Sequence, residues 1–324
     1  MRRTLLHIFM LYFCTIVLAT CTKPSDDTLP QPVAGERYLE QIFPLFNRYR
    51  DLPYGENYTQ SGVLKQLHFD FFEPRDDDEL RRPLIVMAKG FGFVDVGRED
   101  FDLLAELLVS FGYTVASLDY RVDDRLEFPI DSVSSYDNII KARADIKAAI
   151  RMLRLEAQGQ NRFRTDPDRI FLLGYSAGAV AALHAAYFNQ GDPVSPLLDS
   201  LIAQNGGWEG DSGPAFGNSR PTAVVNLSGA LLDADYIDET EPPLLSIHGQ
   251  EDAIVPICEG PFTLEEFLEP FAVEGSCRLH ERALEIGLAS TIIAPAQGKH
   301  DAPFNDVACE NCIARIVFFL YEFL

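Results

Sequence analysis

Positive charge is scarce in this chain. There are 27 Lys and Arg against 49 Asp and Glu, a formal net charge of −22 over 324 residues. That imbalance argues against nucleic acid as a partner and against electrostatic docking on anionic lipid. A membrane-spanning run is also missing from the N-terminus, where Leu5 to Ala19 gives about 15 apolar residues, short of the ~20 that a spanning helix needs. Tryptophan occurs once, at Trp208. No internal repeat and no low-complexity tract interrupts the chain after about Glu36, so one domain is expected there. What the chain does have is apolar bulk. It is 47% hydrophobic, with 23 Phe and 12 Tyr, enough for a sizeable core.

Cysteine is sparse but informative. Cys14 and Cys21 lie in the leader, and Cys258, Cys277, Cys309 and Cys312 come late in the chain. Four cysteines in an oxidising compartment imply two disulfides, with three pairings open. The pairing taken forward is 258–277 with 309–312. Cys309 and Cys312 form a C-x-x-C, but no second pair at matching spacing supports zinc, and no βαβ pattern supports a thioredoxin-like role.

Arg2 and Arg3 precede the short apolar run, and "LATC" (18–21) leads into a polar, Pro-rich stretch. This leader resembles a bacterial lipoprotein signal with Cys21 as the lipidated residue. Thr20 departs from the small residue preferred there, which keeps plain secretory cleavage in play. The expected organisation is a signal peptide over 1–21, a linker over 22–35 and one domain over 36–324, outside the cytoplasm.

Within that domain, short apolar runs alternate with helical periodicities. Strands are predicted at 64–73, 83–88, 114–120, 169–173, 222–229, 243–249 and 290–296. Helices are predicted at 98–113, 136–158, 177–189, 278–287 and 306–322. "PLIVMA" (83–88) is continuously apolar, the pattern of a strand buried on both faces. The alternation predicts an α/β fold with a mostly parallel central sheet and helices on both faces.

"RIFLLGYSAGAVAALHAAY" (169–187) carries the sharpest signal. It reads as a buried strand, then Gly174-Tyr175-Ser176-Ala177-Gly178, then an Ala-rich helix. A G-x-S-x-G at a strand-to-helix turn lifts the serine hydroxyl clear of the sheet, beside a helix N-terminus that favours negative charge. Serine is a weak nucleophile unless a base takes its proton and an acid orients the base. Three histidines follow Ser176. His280 sits on a helical face and reads as a surface residue. His248 ends a buried strand and reads as shaping the loop near the acid. His300, in a Gly-containing loop after the last apolar strand, is the expected base. The expected acid is Asp252, with adjacent Glu251 as the alternative. Asp301 is expected to point away, and Tyr175 to serve packing.

Taken together, "HGQEDAIVP", "GYSAGAVAALHAAY" and "PLIVMAKGFGFVDVGREDFDLLAELLVSFGYTVASLDYR" resemble the acid loop, nucleophile elbow and oxyanion region of α/β-hydrolase carboxylesterases. The resemblance runs from about Pro83 to the C-terminus. It implies the α/β-hydrolase fold, a Ser176–Asp252–His300 triad, and an oxyanion hole built from the backbone N–H groups of Ala177 and Phe91, with Gly92 as a further donor. Where the family has H-G-G-G, this chain has Lys89-Gly90-Phe91-Gly92. Phe91 would then narrow the acyl side.

Two stretches lie off the core pattern, 204–221 and 257–277. Long insertions at the C-terminal ends of strands usually line the substrate site, so both are candidates for that role. The function these features imply is hydrolysis of carboxylic esters of small or carbohydrate alcohols, with short acyl chains. No cofactor and no metal is expected. Nucleic acid is not an expected partner, and membrane association would come only through a lipid on Cys21. A lipase, peptidase or acyltransferase on the same triad, or a catalytically idle binding domain, are the alternatives.

Overall fold

A computed structural model describes residues 35–90, 101–125, 127–264, 268–305 and 308–324. The leader, the linker up to residue 34, Phe91 and Gly92 lie outside the described residues.

The centre is an eight-stranded sheet. Its strands are β1 (Phe46–Tyr58), β2 (Leu64–Pro74), β3 (Arg82–Ala88), β4 (Thr114–Leu118), β5 (Thr165–Tyr175), β6 (Val224–Leu227), β8 (Leu244–Ile247) and β11 (Ser290–Ile293), in the order β1-β2-β4-β3-β5-β6-β8-β11. β1 pairs with β2, and β2 with β4, antiparallel; the remaining pairings are parallel. A smaller sheet joins β7 (Ala230–Leu231), β10 (Leu268–Gly275) and β9 (Glu259–Leu264).

The alternation within each strand explains why both faces of the sheet are covered. In β3, Leu84, Val86 and Ala88 enter one core cluster, while Ile85 and Met87 enter another. Ile170 and Leu172 of β5 divide from Phe171 and Leu173 in the same way. The first cluster is closed by α2 (Ser132–Gln158), α3 (Ala177–Tyr187), α4 (Pro196–Gln204) and α5 (Ser276–Glu285). The second is closed by α1 (Asp102–Ser110) and α6 (Cys312–Tyr321). Each fully buried Leu, Ile or Phe contributes about 1.5–3 kcal/mol, so the two cores supply most of the driving force for the fold.

Several elements depart from the sequence reading, each for a local reason. α2 begins at Ser132, four residues before the predicted start, because the Asp131 side chain accepts the Ser134 N–H at 2.8 Å and caps it. The serines of that first turn carry no apolar periodicity. The helix predicted over 306–322 spans Cys312–Tyr321, and 306–307 lie outside the described residues. β1 was not predicted. Pro53 and Gly55 read as breakers, but the strand lies at the sheet edge and takes register shifts at Tyr49/Leu52 and Pro53/Gly55, where such residues are tolerated. α4 was not predicted either, although Ser195 caps it and Pro196 opens it, a recognisable start.

The segment 204–221 meets the C-terminal end of β1, where the Ser212 carbonyl accepts the Glu56 N–H at 2.8 Å, and Ser212 Oγ accepts from Arg121 Nη2, just past β4, at 3.1 Å. The segment precedes β6 and runs along α2, where Arg143 Nη2 donates to the Trp208 carbonyl at 2.6 Å and Arg151 Nε to the Pro214 carbonyl at 2.8 Å. Segment 257–277 holds the β9–β10 hairpin. Its Phe262, Phe271 and Val273 pack with Ala177 and Val180 at the start of α3. The cysteines are paired 258–277 and 309–312, the second bond reaching the first residue of α6.

Candidate active site

β5 ends at Tyr175 and α3 starts at Ala177, so Ser176 alone makes the turn. It sits at φ 54° and ψ −129°, a left-handed φ that a non-glycine residue holds only when its surroundings impose it. The flanking glycines show what imposes it. A Cβ on Gly178 would lie 2.2 Å from the Lys89 carbonyl oxygen, and one on Gly174 would lie 2.6 Å from the Ala179 Cα. Strand, turn and helix touch backbone to backbone. The Ser176 N–H donates to the Leu227 carbonyl at 2.9 Å, which ties the turn to the end of β6.

Parallel strands bring the other residues to the same edge. Asp252 follows β8 and His300 follows β11, both past C-terminal ends, where open α/β sheets form their clefts. Ser176 Oγ and His300 Nε2 are 2.8 Å apart, and His300 Nδ1 and Asp252 Oδ2 are 2.7 Å apart. Ser176 is 5% exposed and the His300 side chain 16%, so the cluster is sheltered but reachable. Glu251 is exposed, as is Asp301. His280 lies on α5, half-buried, hydrogen-bonded to Ser290 Oγ. His248 is fully buried, with Nε2 3.1 Å from Asp252 Oδ2.

Electrostatics hold the carboxylate charged. Burial by itself would raise the Asp252 pKa. Hydrogen bonds from His248 and His300 and from the Ile254 N–H outweigh it and keep the carboxyl well below the usual range. Its Oδ1 accepts the N–H groups of Ile254 at 2.8 Å and Val255 at 3.0 Å.

Aromatic residues wall one side. The Tyr175 ring lies 5.2 Å from the His300 ring and 4.9 Å, edge on, from Phe304. Burial, helped by the charges of Asp252 and Asp301, pushes the Tyr175 hydroxyl up to about 12, so it stays a neutral phenol. Phe304 was not singled out in the sequence, although it stands four residues beyond His300. It is 43% exposed and also meets Phe101, with ring centroids 6.0 Å apart. Ser228, likewise unmarked in the sequence, donates from Oγ to the His300 carbonyl at 3.0 Å.

Of the expected oxyanion donors, Ala177 is described. As the first residue of α3, its N–H has no acceptor within the helix. A Cβ on Gly90 would lie 2.6 Å from that nitrogen, so the chain leading to Phe91 passes directly beside it. Among the described residues no group of three or more His, Cys, Asp or Glu could hold a metal ion.

The chain has the α/β-hydrolase fold, with a serine, a histidine and an aspartate meeting at the strand ends. The comparisons agree on the fold. The BD-FAE family model, which describes an α/β-hydrolase-like family, matches residues 69–206, under half of the chain. A truncated carbohydrate esterase from gut microbiota is 18% identical, with a TM-score of 0.57, covering 87% of this chain and 97% of that one. Esterase Est2 of Thermogutta terrifontis, with propionate bound, is 20% identical with a TM-score of 0.59, covering 83% and 94%. A bifunctional GH43-CE protein of Bacteroides eggerthii is 19% identical with a TM-score of 0.61, covering 85% of this chain and 35% of that one. No curated protein matches the sequence.

Proposed function

We propose that this protein is an exported serine hydrolase that cleaves carboxylic esters through an acyl-enzyme. The observation that carries the reading is the unbroken line from Ser176 Oγ through His300 to Asp252 Oδ2, with hydrogen bonds of 2.8 and 2.7 Å. Ser176 Oγ attacks the ester carbonyl carbon while His300 Nε2 accepts its proton. The oxyanion takes hydrogen bonds from the N–H groups of Ala177 and Phe91, with Gly92 as a third donor. Collapse of the tetrahedral adduct releases the alcohol, which leaves with the proton from Nε2. Water, deprotonated by the same nitrogen, then attacks the acyl-enzyme and frees the acid. Asp252, kept ionised, orients Nδ1–H and stabilises the imidazolium formed on the way.

The substrate we propose is a short-chain acyl ester of a small or carbohydrate alcohol. In the sequence, Phe91 takes the position of a glycine of the H-G-G-G motif, which favours a narrowed acyl side. The fold is shared with a carbohydrate esterase and with an esterase described with propionate bound. Export and lipidation or cleavage at Cys21 are supported by the leader sequence, and two closed disulfides fit an oxidising compartment.

The test is covalent labelling by a fluorophosphonate, together with turnover of aryl acetates. Labelling at Ser176 and its loss in Ser176→Ala, with turnover down by several orders of magnitude, are expected. A parent protein that neither labels nor turns over any ester would instead be an idle binding domain.

A further inference from the structure

We infer that His248 is a positioning residue for this site: a buried, neutral N–H donor that locks the Asp252 carboxylate in line with His300. The inference rests on the serine-hydrolase reading above. The sequence marks His248 only as a loop residue, and the structure gives it a defined protonation pattern.

That pattern follows from counting donors and acceptors, starting at a backbone group that has no choice. The Gly229 N–H donates to Asn226 Oδ1 at 2.8 Å, which fixes the orientation of the Asn226 amide. The two hydrogens on Asn226 Nδ2 must then go to Ser246 Oγ and Ser276 Oγ, each 3.0 Å away. Ser276 Oγ therefore already accepts a proton donor. Among the described residues its own hydroxyl proton has one acceptor, His248 Nδ1 at 2.8 Å. An Nδ1 that accepts leaves the imidazole proton on Nε2. There it faces two acceptors, Asp252 Oδ2 at 3.1 Å and the Val255 carbonyl at 3.0 Å. Asn226, His248, Ser276 and the Asp252 side chain are fully buried, so water does not compete for these bonds.

The consequence falls on Asp252. Its Oδ2 accepts from both His248 and His300, and its Oδ1 accepts from the Ile254 and Val255 amides. With four donors the carboxylate cannot rotate away from His300, nor can it take up a proton without losing one of them. The relay also spans the elements that must stay in register: Asn226 is on β6, Ser246 on β8, and Ser276 opens α5, next to the Cys258–Cys277 disulfide.

Two measurements test this. In native protein labelled with ¹⁵N-histidine, His248 should appear at neutral pH as the Nε2–H tautomer. An Nδ1–H tautomer or an imidazolium would overturn the inference. In steady-state kinetics on an aryl acetate, His248→Leu should lower kcat by on the order of tenfold with KM unchanged, because the acid is misaligned while the substrate contacts persist. His248→Gln, which keeps a neutral donor at the same reach, should return kcat to within about threefold of the parent. A folded His248→Leu with parental kcat would also overturn the inference. If His248→Leu does not fold, Ser276→Ala takes its place. It should leave Nδ1 without its donor and lower kcat several-fold, and an unchanged kcat counts against the relay. The tautomer is read on unreacted protein, so failure of the hydrolase reading would show separately, as absence of fluorophosphonate labelling in the parent.

Discussion

Gly249 and Gly298 cross backbone to backbone: a Cβ on Gly249 would lie 2.2 Å from the Gly298 carbonyl oxygen. The crossing joins the loop that carries Asp252 to the loop that carries His300. The Glu251 N–H donates to the same Gly298 carbonyl at 2.8 Å and closes the contact. Gly249→Ala should push the loops apart, cost about 1–3 kcal/mol of stability and reduce kcat by on the order of a hundredfold. Thermal unfolding and steady-state kinetics on one preparation check both effects. Parental kcat in the variant would show that the crossing does not set the Asp252–His300 distance.

The pH dependence of turnover should report the imidazole rather than the carboxylate. Only a neutral His300 accepts the Ser176 proton, so kcat/KM should fall as pH falls. The Asp252 pKa is held far down by its hydrogen bonds, so no separate carboxylate step should appear above pH 4. Asp252→Asn should lower kcat by about 10³–10⁴ while leaving KM near the parent value. A rate profile from pH 4 to 9 is the measurement, and a flat profile would remove His300 as the base.

His184 should make the fold acid-sensitive. It is fully buried in α3, bonded through Nδ1 to the Val180 carbonyl at 2.7 Å and through Nε2 to the Leu232 N–H at 3.2 Å. Burial lowers its pKa from 6.5 to about 4, so the unfolded chain binds the proton first on acidification. The stability it contributes is complete above pH 6.5 and is lost as pH falls toward 4, a change on the order of 3 kcal/mol. Urea unfolding at pH 7 and pH 4 should show a smaller acid loss for His184→Gln than for the parent.

The Cys258–Cys277 bond closes a loop with a sequence separation of 19 at the base of the β9–β10 hairpin. Cys258→Ser with Cys277→Ser should cost about 3 kcal/mol, by the loop-closure argument. Mass spectrometry of an unreduced digest should recover the 258–277 and 309–312 pairs. Crossed pairs would contradict the geometry.

Acyl length is the substrate test. Turnover on aryl esters from acetyl to palmitoyl should peak at the short end and fall steeply, and Phe91→Gly should move the limit to longer chains. A maximum at palmitoyl, or activation at an oil–water interface, would make the protein a lipase.

Much of this was written locally. The continuous run at 83–88, the glycines around Ser176 and the order Ser176, Asp252, His300 are short-range patterns, because strand burial, a tight turn and loop position each leave a mark within a few residues. The sequence left Glu251 beside Asp252 as an alternative acid, and it is Asp252 Oδ2 that lies 2.7 Å from His300 Nδ1. What sequence could not supply was decided by distant chain segments meeting. β1 is a strand despite Pro53 and Gly55 because the sheet edge tolerates bulges. The 204–221 segment runs along α2 because buried Arg143 and Arg151 need its carbonyls, a demand visible only once the helix is placed. Ser228 reaches His300, and Phe304 the ring of Tyr175, only through the fold. The state of His248 depends on Asn226, Ser246 and Ser276, brought from two strands and a helix into one buried network. Hydrogen-bond partners separated by 20 to 50 positions leave no periodicity to read, so only the tertiary structure decides them.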